Sequence, residues 1–422
     1  MTSASPHHVE RRAISVIRDR MTEEPVVLLE GPRSVGKSTL LKSLADARNA
    51  EVIDLDDLAT RDAVLADPAL FMAGMPPVCV DEYQKAPLVL DAIKAQLNKR
   101  TRPGRFLLAG STRYDALPTA AQSLTGRLNR ITIYPLTQAE IEGHASRLVE
   151  TLFSSPASAI QASASKTTRE EYIQRIARGG FPIAIERTTV ASRNRWFDDY
   201  IRLTLERDAR ELSNIRQSAM LPLLLGRLAS QTAQVLNIAS AAADITLDER
   251  TADSYTKLLE AVFLVQRLPA WHSTLTARTA ATPKLHIIDS GVAARLLRLT
   301  PEKLARRDAT SLTEFGYLLE TFVVGEIQRE ASWMDGVAGI GHWRTHDHDE
   351  VDLVIERDDG AIIAFEIKAG SRVPGESFAP MRKLRDKVGD AFIAGVALYL
   401  GEWSYTFDDR LHVMPVDRLW SV

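Results

Sequence analysis

The residues from Gly31 to Ser38 fit the phosphate-binding pattern G-x-x-x-x-G-K-[ST]. The apolar run 26–29 precedes the motif and a helix-forming run follows it, which is the strand–loop–helix context that the pattern requires. The glycines let backbone N–H groups wrap phosphates, and a helix N-terminus adds partial positive charge. We therefore expect Lys37 to contact the β- and γ-phosphates of a nucleotide and the Ser38 hydroxyl to ligate Mg²⁺. The predicted nucleotide-binding residues are Gly31, Pro32, Arg33, Ser34, Val35, Gly36, Lys37, Ser38 and Thr39.

A second short motif completes the predicted hydrolytic site. The apolar run 77–80 ends in Asp81 and Glu82. We expect Asp81 to hold Mg²⁺ through water and Glu82 to orient and polarise the attacking water. Many strands end in acids, so this pattern gains its meaning from the phosphate loop upstream.

Two further residues are candidates to contact the γ-phosphate. A predicted strand begins at Arg105 and ends in Ser111 and Thr112. We expect this strand to lie between the phosphate-loop strand and the acidic strand, with Ser111 as the first candidate to sense the γ-phosphate. Arg127 follows a glycine in the next loop and is a candidate to neutralise γ-phosphate charge, in cis or from a neighbouring subunit. A strand-ending turn and an ordinary surface arginine are the alternatives for these two positions.

A second set of chemically capable residues lies near the C-terminus. Asp352 begins a predicted strand, and Glu366 and Lys368 lie two residues apart on the next one, so their side chains share a face. Carboxylates at these positions can share a divalent metal, with Lys368 orienting water or neutralising a phosphate, and Glu320 on the preceding helix would be a further metal-side carboxylate. An inactive domain with the same fold is an equal alternative. His342, His346 and His348 allow a zinc site, which the Asp-rich loop and the lack of nearby cysteine disfavour.

Between these two sites the sequence is mainly helical. The stretch 154–166 is rich in Ser and Ala and reads as a linker or exposed loop, and a mildly basic helical lid follows it. Three helices, 220–234, 238–243 and 249–264, then precede two strands, 265–268 and 283–288. Three short helices with a two-stranded wing are typical of winged-helix domains, whose third helix enters a DNA groove. Here that helix carries Arg250, Ser254, Tyr255 and Lys257.

The ordered series of motifs resembles a group of prokaryotic AAA-type ATP-binding proteins. The motifs are 31–38, 81–87 (Asp-Glu-Tyr-Gln-Lys-Ala-Pro), 107–111 (Leu-Leu-Ala-Gly-Ser) and 126–127 followed by 134–137 (Tyr-Pro-Leu-Thr). The resemblance continues through 179–182, 200–208, 319–320, 343–345 and 350–352, and so covers nearly the whole chain. It implies a C-terminal domain of unknown function resembling the restriction-endonuclease-like PD-(D/E)xK fold. Members often have Thr where this chain has Ala109, which leaves Ser111 as the sensor.

Length and composition set the remaining expectations. The 422 residues require more than one domain, and the net charge of −3 gives no global basic signature of nucleic-acid binding. The single cysteine, Cys79, excludes an intramolecular disulfide and suits a reducing compartment. The longest apolar run, 391–400, is about half a membrane span. We expect a cytoplasmic protein without a membrane partner.

The predicted fold class is multidomain α/β. We divide the chain into a P-loop AAA-type ATPase core (1–145), a linker and helical lid (146–215), a winged-helix-like domain (216–290) and a restriction-endonuclease-like domain (291–422). The first functional hypothesis is Mg²⁺-dependent ATP hydrolysis coupled to a DNA-directed activity, with nucleotide-gated DNA cleavage at Asp352, Glu366 and Lys368. The alternative is an ATP-driven switch whose C-terminal domain only binds DNA or a protein. A small-molecule kinase fits poorly, because the Asp81–Glu82 pair favours hydrolysis. A homo-oligomer is a further expectation.

Overall fold

The computed structural model describes residues 9–116, 124–160, 163–212, 219–243, 245–272, 281–347 and 349–421. These residues form three sheets, each packed against helices. Within the described ranges, no helix is long and apolar enough to cross a membrane.

The N-terminal sheet contains five parallel strands in the order β2-β3-β4-β1-β5. Strand β4 lies between β1 and β3, as predicted for the sensor strand. The strands β1, β3 and β4 are buried along their whole length, because helices cover both faces, and their alternate residues feed two separate apolar clusters. The strands are β1 Val26–Glu30, β2 Val52–Asp54, β3 Val78–Asp81, β4 Phe106–Gly110 and β5 Leu128–Thr132, and the helices are α1 Ala13–Glu23, α2 Lys37–Asp46, α3 Leu58–Ala66, α4 Pro68–Met72 and α5 Leu88–Lys99.

A run of helices connects this sheet to the middle of the chain. The predicted linker at 154–166 is partly wrong, because two short helices occupy 148–160. Thr137 with Glu140 and Thr168 with Glu171 form reciprocal capping boxes at two of the helix starts. A π-helical turn, Thr204–Asp208, continues α11. The helices are α6 Gln138–Glu142, α7 Leu148–Ser154, α8 Pro156–Ile160, α9 Arg169–Arg178, α10 Pro182–Glu186, α11 Val190–Leu203 and α12 Ala209–Leu212.

The middle region combines three helices with a three-stranded antiparallel sheet in the order β6-β8-β7. Asp248 caps the third helix by accepting a hydrogen bond from the backbone N–H of Thr251. The elements are α13 Met220–Ala229, β6 Gln234–Val235, α14 Ile238–Ala243, α15 Glu249–Ala261, β7 Val265–Leu268 and β8 Lys284–Ile287.

The C-terminal region is a six-stranded mixed sheet in the order β13-β14-β12-β11-β10-β9. A 23-residue helix, Ala309–Ala331, precedes it and is capped by Asp308. The helices are α16 Ser290–Leu296, α17 Pro301–Leu304, α18 Ala309–Ala331, α19 Ala379–Val388 and α20 Arg418–Ser421, and the strands are β9 Val337–Arg344, β10 Glu350–Arg357, β11 Ile362–Lys368, β12 Phe392–Tyr399, β13 Tyr405–Asp408 and β14 Leu411–Pro415.

The regions meet at a glycine pair, Gly179 and Gly180, where α9 ends. A Cβ on Gly179 would lie 2.1 Å from the Asp289 carboxylate, and one on Gly180 would lie 2.3 Å from the carbonyl oxygen of Leu136. Gly179 also has φ +67° and caps α9, as expected for a helix C-terminus. Because neither glycine has a side chain, Leu136 of the ATPase segment and Asp289 of the middle region can lie directly against the backbone at the end of α9.

The middle and C-terminal regions are also joined through their backbones. The N–H of His342 donates to the carbonyl of Pro269 at 2.9 Å, and the N–H of Trp271 donates to the carbonyl of His342 at 2.6 Å. The two regions are therefore in direct backbone contact, and the predicted boundary at residue 290 stays a prediction.

Candidate functional site

The phosphate loop lies between the end of β1 and the start of α2. Gly31 and Gly36 have φ values of +151° and +96°, which residues with a side chain rarely adopt. A Cβ on Gly31 would lie only 2.2 Å from the carbonyl oxygen of Ile133. The conformation and the close approach both require glycine, so the local sequence forms the predicted loop for steric reasons.

Lys37 begins α2 and is 5% exposed. Its ammonium group donates hydrogen bonds to the carbonyl oxygens of Gly31 and Pro32, at 2.9 and 2.7 Å. Burial lowers the pKa of Lys37 to about 8, although the nearby Glu82 and Asp81 oppose the shift. The loop thus holds its one lysine inside the turn that the phosphates would occupy.

The residues predicted to hold Mg²⁺ come together. The Ser38 hydroxyl hydrogen-bonds to Asp81, which is largely buried at the end of β3. Burial raises the pKa of Asp81, and the Ser38 hydrogen bond opposes this effect. A hydroxyl and a carboxylate are oxygen donors of the kind that Mg²⁺ prefers, so this pair fits the predicted ion.

Glu82 lies beside the predicted sensor and is held by a residue that the sequence did not single out. Glu82 has φ +50°, an unusual value for a residue with a side chain. The hydroxyl of Ser111 donates to Glu82 at 3.3 Å, and the Gln84 amide donates both to Glu82 and, at 3.2 Å, to Ser111. Strands β3 and β4 therefore place a buried carboxylate, a hydroxyl and an amide together beside the phosphate loop.

Two arginines, one within the loop and one before α1, connect the loop to its surroundings. The guanidinium of Arg33 pairs with the buried Asp208, 2.6 Å away, in the π-helical turn of the lid. Arg11, which precedes α1, donates to the carbonyl of Val35 at 2.6 Å, to the carbonyl of Tyr134 at 2.8 Å and to Glu140 at 3.0 Å. Through these contacts the loop is connected to the lid and to the segment that follows β5.

The structure does not bring Arg127 to this site. Arg127 precedes Leu128, which pairs with Val26 at the start of β1, whereas the phosphate loop follows the end of that strand. The length of β1 therefore separates them, about 15 Å at strand rise. The guanidinium donates to the side chain of Asn98 at 2.7 Å instead. The prediction of a cis role for Arg127 is wrong in this conformation, and a role in trans stays a prediction.

The C-terminal acidic residues converge on a lysine that the sequence analysis missed. Lys284, on β8 of the middle sheet, is 1% exposed. Its ammonium group lies 2.7 Å from Glu320, 2.5 Å from Glu350 and 3.0 Å from Asp352. Burial alone would lower the pKa of Lys284, but the three carboxylates together raise it well above its usual value. The lysine is therefore a charged, fully buried counter-ion.

The remaining predicted residues lie beside this cluster. Lys368 bonds to Glu366 at 2.7 Å, and the backbone N–H of Ile367 donates to Asp352 at 2.9 Å. Burial and the neighbouring Asp352 raise the pKa of Glu366, and the same two causes raise that of Glu320. The structure therefore brings together Glu320, Asp352, Glu366 and Lys368, the four residues that the sequence analysis grouped.

The prediction that these carboxylates hold a metal ion stays a prediction, and this conformation does not offer them as a metal site. In the described residues, no group of three or more His, Cys, Asp or Glu side chains is arranged to hold a metal ion. The physical reason is that the Lys284 ammonium takes the position between Glu320 and Asp352. The zinc alternative gains no support from the described residues: His342 is buried against the carbonyl of Thr282, His346 is exposed, and His348 lies outside the described residues.

The third helix of the middle region offers fewer contacts to DNA than predicted. Arg250, Ser254 and Lys257 are exposed, but Tyr255 is buried. Lys257 also pairs with Asp253 at 2.7 Å. One of the four predicted side chains is therefore unavailable, and a second is partly neutralised.

Comparison with known proteins assigns the N-terminal part. Residues 23–142 match a family model described as an AAA domain. Residues 169–303 and 315–419 match models of two domains of unknown function, DUF8612 and DUF4143. With the phosphate loop and acidic strand in place, the chain is a P-loop AAA ATPase, an enzyme that hydrolyses ATP.

Relatives known by sequence or structure add no function. Uncharacterized proteins of Mycobacterium tuberculosis and Mycobacterium bovis are each 28% identical over 416 residues, covering 97% of this chain and 85% of the relative. A Walker-type ATPase of Pyrococcus abyssi is 13% identical with a TM-score of 0.41, over 68% of this chain and 96% of that one. The RuvB Holliday junction branch migration motor of Thermotoga maritima is 18% identical with a TM-score of 0.28, over 61% of this chain and 88% of that one. At these TM-scores neither structure carries an argument about this chain.

Three residues at these sites escaped the sequence analysis. Gln84 carried a weak signal, since it follows the Asp81–Glu82 pair by two residues. Lys284 carried a clearer one, because it is a charge inside a strand that otherwise reads as buried. Arg11 carried none, since its partners lie 24 to 129 residues away in sequence.

Proposed function

We propose that the protein is an ATP-hydrolysing switch whose nucleotide state is transmitted to its C-terminal domain, which binds a partner and does not cut DNA in the conformation described. The observation that carries this proposal is the contact of the Lys284 ammonium with Glu320, Glu350 and Asp352. A buried lysine from another region lies against Glu320 and Asp352, two of the carboxylates that a nuclease would use to hold its metal. The element order of the middle and C-terminal regions supports the winged-helix-like and restriction-endonuclease-like assignments as part of this proposal.

The ATP site has the groups that hydrolysis requires. Lys37 binds the β- and γ-phosphates, and Ser38 and Asp81 would hold Mg²⁺, which when bound neutralises phosphate charge. Glu82 orients the attacking water and accepts its proton, and Ser111 contacts the γ-phosphate side of the site. Because Gln84 hydrogen-bonds to both Glu82 and Ser111, it sets their positions before the nucleotide arrives.

A series of buried hydrogen bonds leads from the phosphate loop to the C-terminal domain. Arg11 connects the loop to residues 134–140, as described above. From there, the backbone N–H of Gln138 donates to Glu326 of α18 at 2.8 Å, and Arg329 donates to the carbonyl of Leu136 at 3.1 Å. Glu320 lies on the same helix and contacts Lys284. A movement of residues 134–140 on nucleotide binding would therefore displace a rigid helix that reaches the lysine.

The second candidate is nucleotide-gated DNA cleavage. The observation that favours it is the complete set of Asp352, Glu366, Lys368 and Glu320 in one cluster. For this activity Lys284 must leave the carboxylates so that a divalent metal can enter. ATP-driven movement of α18 would be the cause of that release.

Incubation of the purified protein with single- and double-stranded DNA separates the two candidates. Each DNA is tested with Mg²⁺ or Mn²⁺, with and without ATP, against a Lys368→Ala variant. No cutting in any condition supports the switch. Cutting that the wild type shows and Lys368→Ala lacks establishes the nuclease and overturns the switch.

Transmission from the ATP site is tested separately by hydrogen exchange of peptides covering β10 and β11. ATP added to a Glu82→Gln variant, which traps the nucleotide, should change their exchange rates, and ADP should not. The same experiment with Lys37→Ala is the control, because that variant should bind neither nucleotide. Exchange rates that are identical with and without ATP would contradict the switch. A cytoplasmic location and a homo-oligomeric state remain proposals, the first supported by the single buried cysteine.

A further inference from the structure

Six cations lie at the end of the N-terminal sheet where β1, β4 and β5 begin, opposite the phosphate loop. Between Asp91 and Asp115 the sequence has no acidic residue. Helix α5 and the loop after it provide five of the cations, and the loop before β5 provides the sixth. We call this set the basic edge, and its members are Lys94, Lys99, Arg100, Arg102, Arg105 and Arg127.

The strand register brings these residues to one place. Val26, the first residue of β1, pairs with Phe106 on one side and with Leu128 on the other. Arg105 and Arg127 precede those partners, so they flank β1 about 10 Å apart, at two strand spacings. Helix α5 ends at the same edge, because the Asn98 side chain accepts a hydrogen bond from Arg127.

The positive charge of the basic edge is not neutralised. In the part of the chain that the structure describes, none of the six cations forms an ion pair. The two arginines nearest to β1 are held by neutral amides: Arg105 donates to Gln96 at 3.1 Å, and Arg127 donates to Asn98 at 2.7 Å. Burial lowers the pKa of Arg105, and so do the neighbouring charges of Arg102 and Arg100. Two acids, Glu23 and Glu24, lie close to this loop at the end of α1, where the N–H of Gly104 donates to the carbonyl of Glu24, and Glu23 pairs with Arg20.

We propose that the basic edge binds the phosphate backbone of duplex DNA without reading its sequence. The guanidinium of Arg127, which an amide orients but does not neutralise, keeps donors for phosphate oxygens, which arginine matches in geometry; Arg105 is buried and contributes charge rather than a contact. The surface favours a duplex over a single strand, because binding of unpaired bases uses exposed aromatic rings. The exposed large aromatic side chains of the described residues are Trp403, Tyr405 and Phe407, all in the C-terminal sheet.

This surface is independent of the state of the C-terminal acidic cluster. It also lies away from the nucleotide, since the length of β1 separates it from the phosphate loop. DNA bound at the basic edge would therefore leave the ATP site accessible. It would contact the N-terminal ATPase segment directly and would not need α15.

The test is a triple variant, Lys99→Gln with Arg100→Gln and Arg102→Gln, in the full-length protein. Binding of a short fluorescein-labelled duplex of mixed sequence is followed by anisotropy over a range of salt concentrations. Affinity at low salt should fall at least about tenfold, and the slope of log affinity against log salt should fall by roughly 2 to 3, at about 0.9 per lost phosphate contact. Basal ATP hydrolysis should be unchanged.

The matched control is Arg250→Gln with Lys257→Gln on α15, which removes the cations of the predicted recognition helix. It should bind duplex DNA like the wild type. Loss of binding in this control with none in the triple variant would overturn the proposal in favour of α15. Wild-type protein that binds vesicles of anionic lipid but no duplex would overturn it in favour of a membrane surface.

Discussion

Replacing Lys284 with methionine tests whether its ammonium group is what makes the acidic cluster tolerable. Methionine keeps most of the side-chain length and removes the charge, so Glu320, Glu350 and Asp352 lose the cation that all three contact. Removing one partner of a buried charge network costs about 3–5 kcal/mol, because the other charges stay buried without compensation. The loss should be local to β8, β10 and the middle of α18.

Hydrogen exchange measures this loss, since a local opening free energy lowered by that amount accelerates exchange by about 140-fold to about 4,000-fold, at roughly 1.4 kcal/mol per factor of ten. Peptides covering β10 should show the effect, and peptides covering β1 should not. The control is Lys257→Met. Lys257 is an exposed lysine of the same region that pairs only with Asp253, and its removal should cost about 0–1 kcal/mol.

The loss should depend on pH with a defined sign. The pKa of Glu320 is already raised by burial and by Asp352, and the pKa of Glu366 is raised by the same causes. A carboxyl group whose pKa is raised in the folded state makes the protein less stable as pH rises above the ordinary pKa, since the unfolded chain releases the proton at a lower pH than the folded chain does. Without Lys284 these pKa values rise further, so the variant should be more damaged at pH 8.5 than at pH 5.5. Exchange within threefold of the wild type at both pH values would refute the counter-ion role of Lys284.

Three further predictions concern the ATP site and the region junction. Lys37→Ala should lose ATP binding in calorimetry, whereas Glu82→Gln should bind ATP and lose turnover; wild-type turnover in the glutamine variant would exclude Glu82 as the water-orienting base. In the nucleotide-free protein the pKa of Lys37 is about 8, and ATP favours the charged form of this lysine. ATP affinity should therefore fall by up to about tenfold per pH unit above pH 8, and calorimetry in buffers of different ionisation enthalpy should show proton uptake on binding. An affinity that does not depend on pH would contradict this. Gly180→Ala should destabilise the protein by at least about 2–3 kcal/mol in a thermal melt, since its Cβ would lie 2.3 Å from the carbonyl oxygen of Leu136; an unchanged melt would show that the junction can relax.

Local patterns were sufficient for the ATP site. The phosphate loop and the two acids after β3 depend on residues that are close in sequence, and the strand–loop–helix context places them without tertiary information. The order of the strands, with β4 between β1 and β3, followed from the type of hydrolytic site. Ser111 came to Glu82 for the same reason, because neighbouring parallel strands end at one edge.

Long-range contacts were the part that the sequence did not predict. The acidic residues of the C-terminal site were correctly grouped, but their counter-ion comes from β8, and no local pattern relates Lys284 to residues on α18 and β10. Arg127 was misplaced because it precedes β5, and the residue before a parallel strand lies at the end of the sheet opposite the loop that follows β1. The local pattern does not give the direction of β5, which its parallel pairing with β1 fixes.

The contacts of α18 limit where the protein can be truncated without loss of structure. The ATPase segment exposes a backbone N–H at Gln138 and a carbonyl at Leu136 whose partners, Glu326 and Arg329, lie almost 200 residues downstream. A fragment that stops at the end of the AAA domain would lose these hydrogen bonds and would expose apolar side chains of the cluster that it shares with the helix from Ala309 to Ala331. Expression of the nucleotide-binding half alone should therefore give a poorly soluble product. A practical minimal fragment would have to include the helix from Ala309 to Ala331.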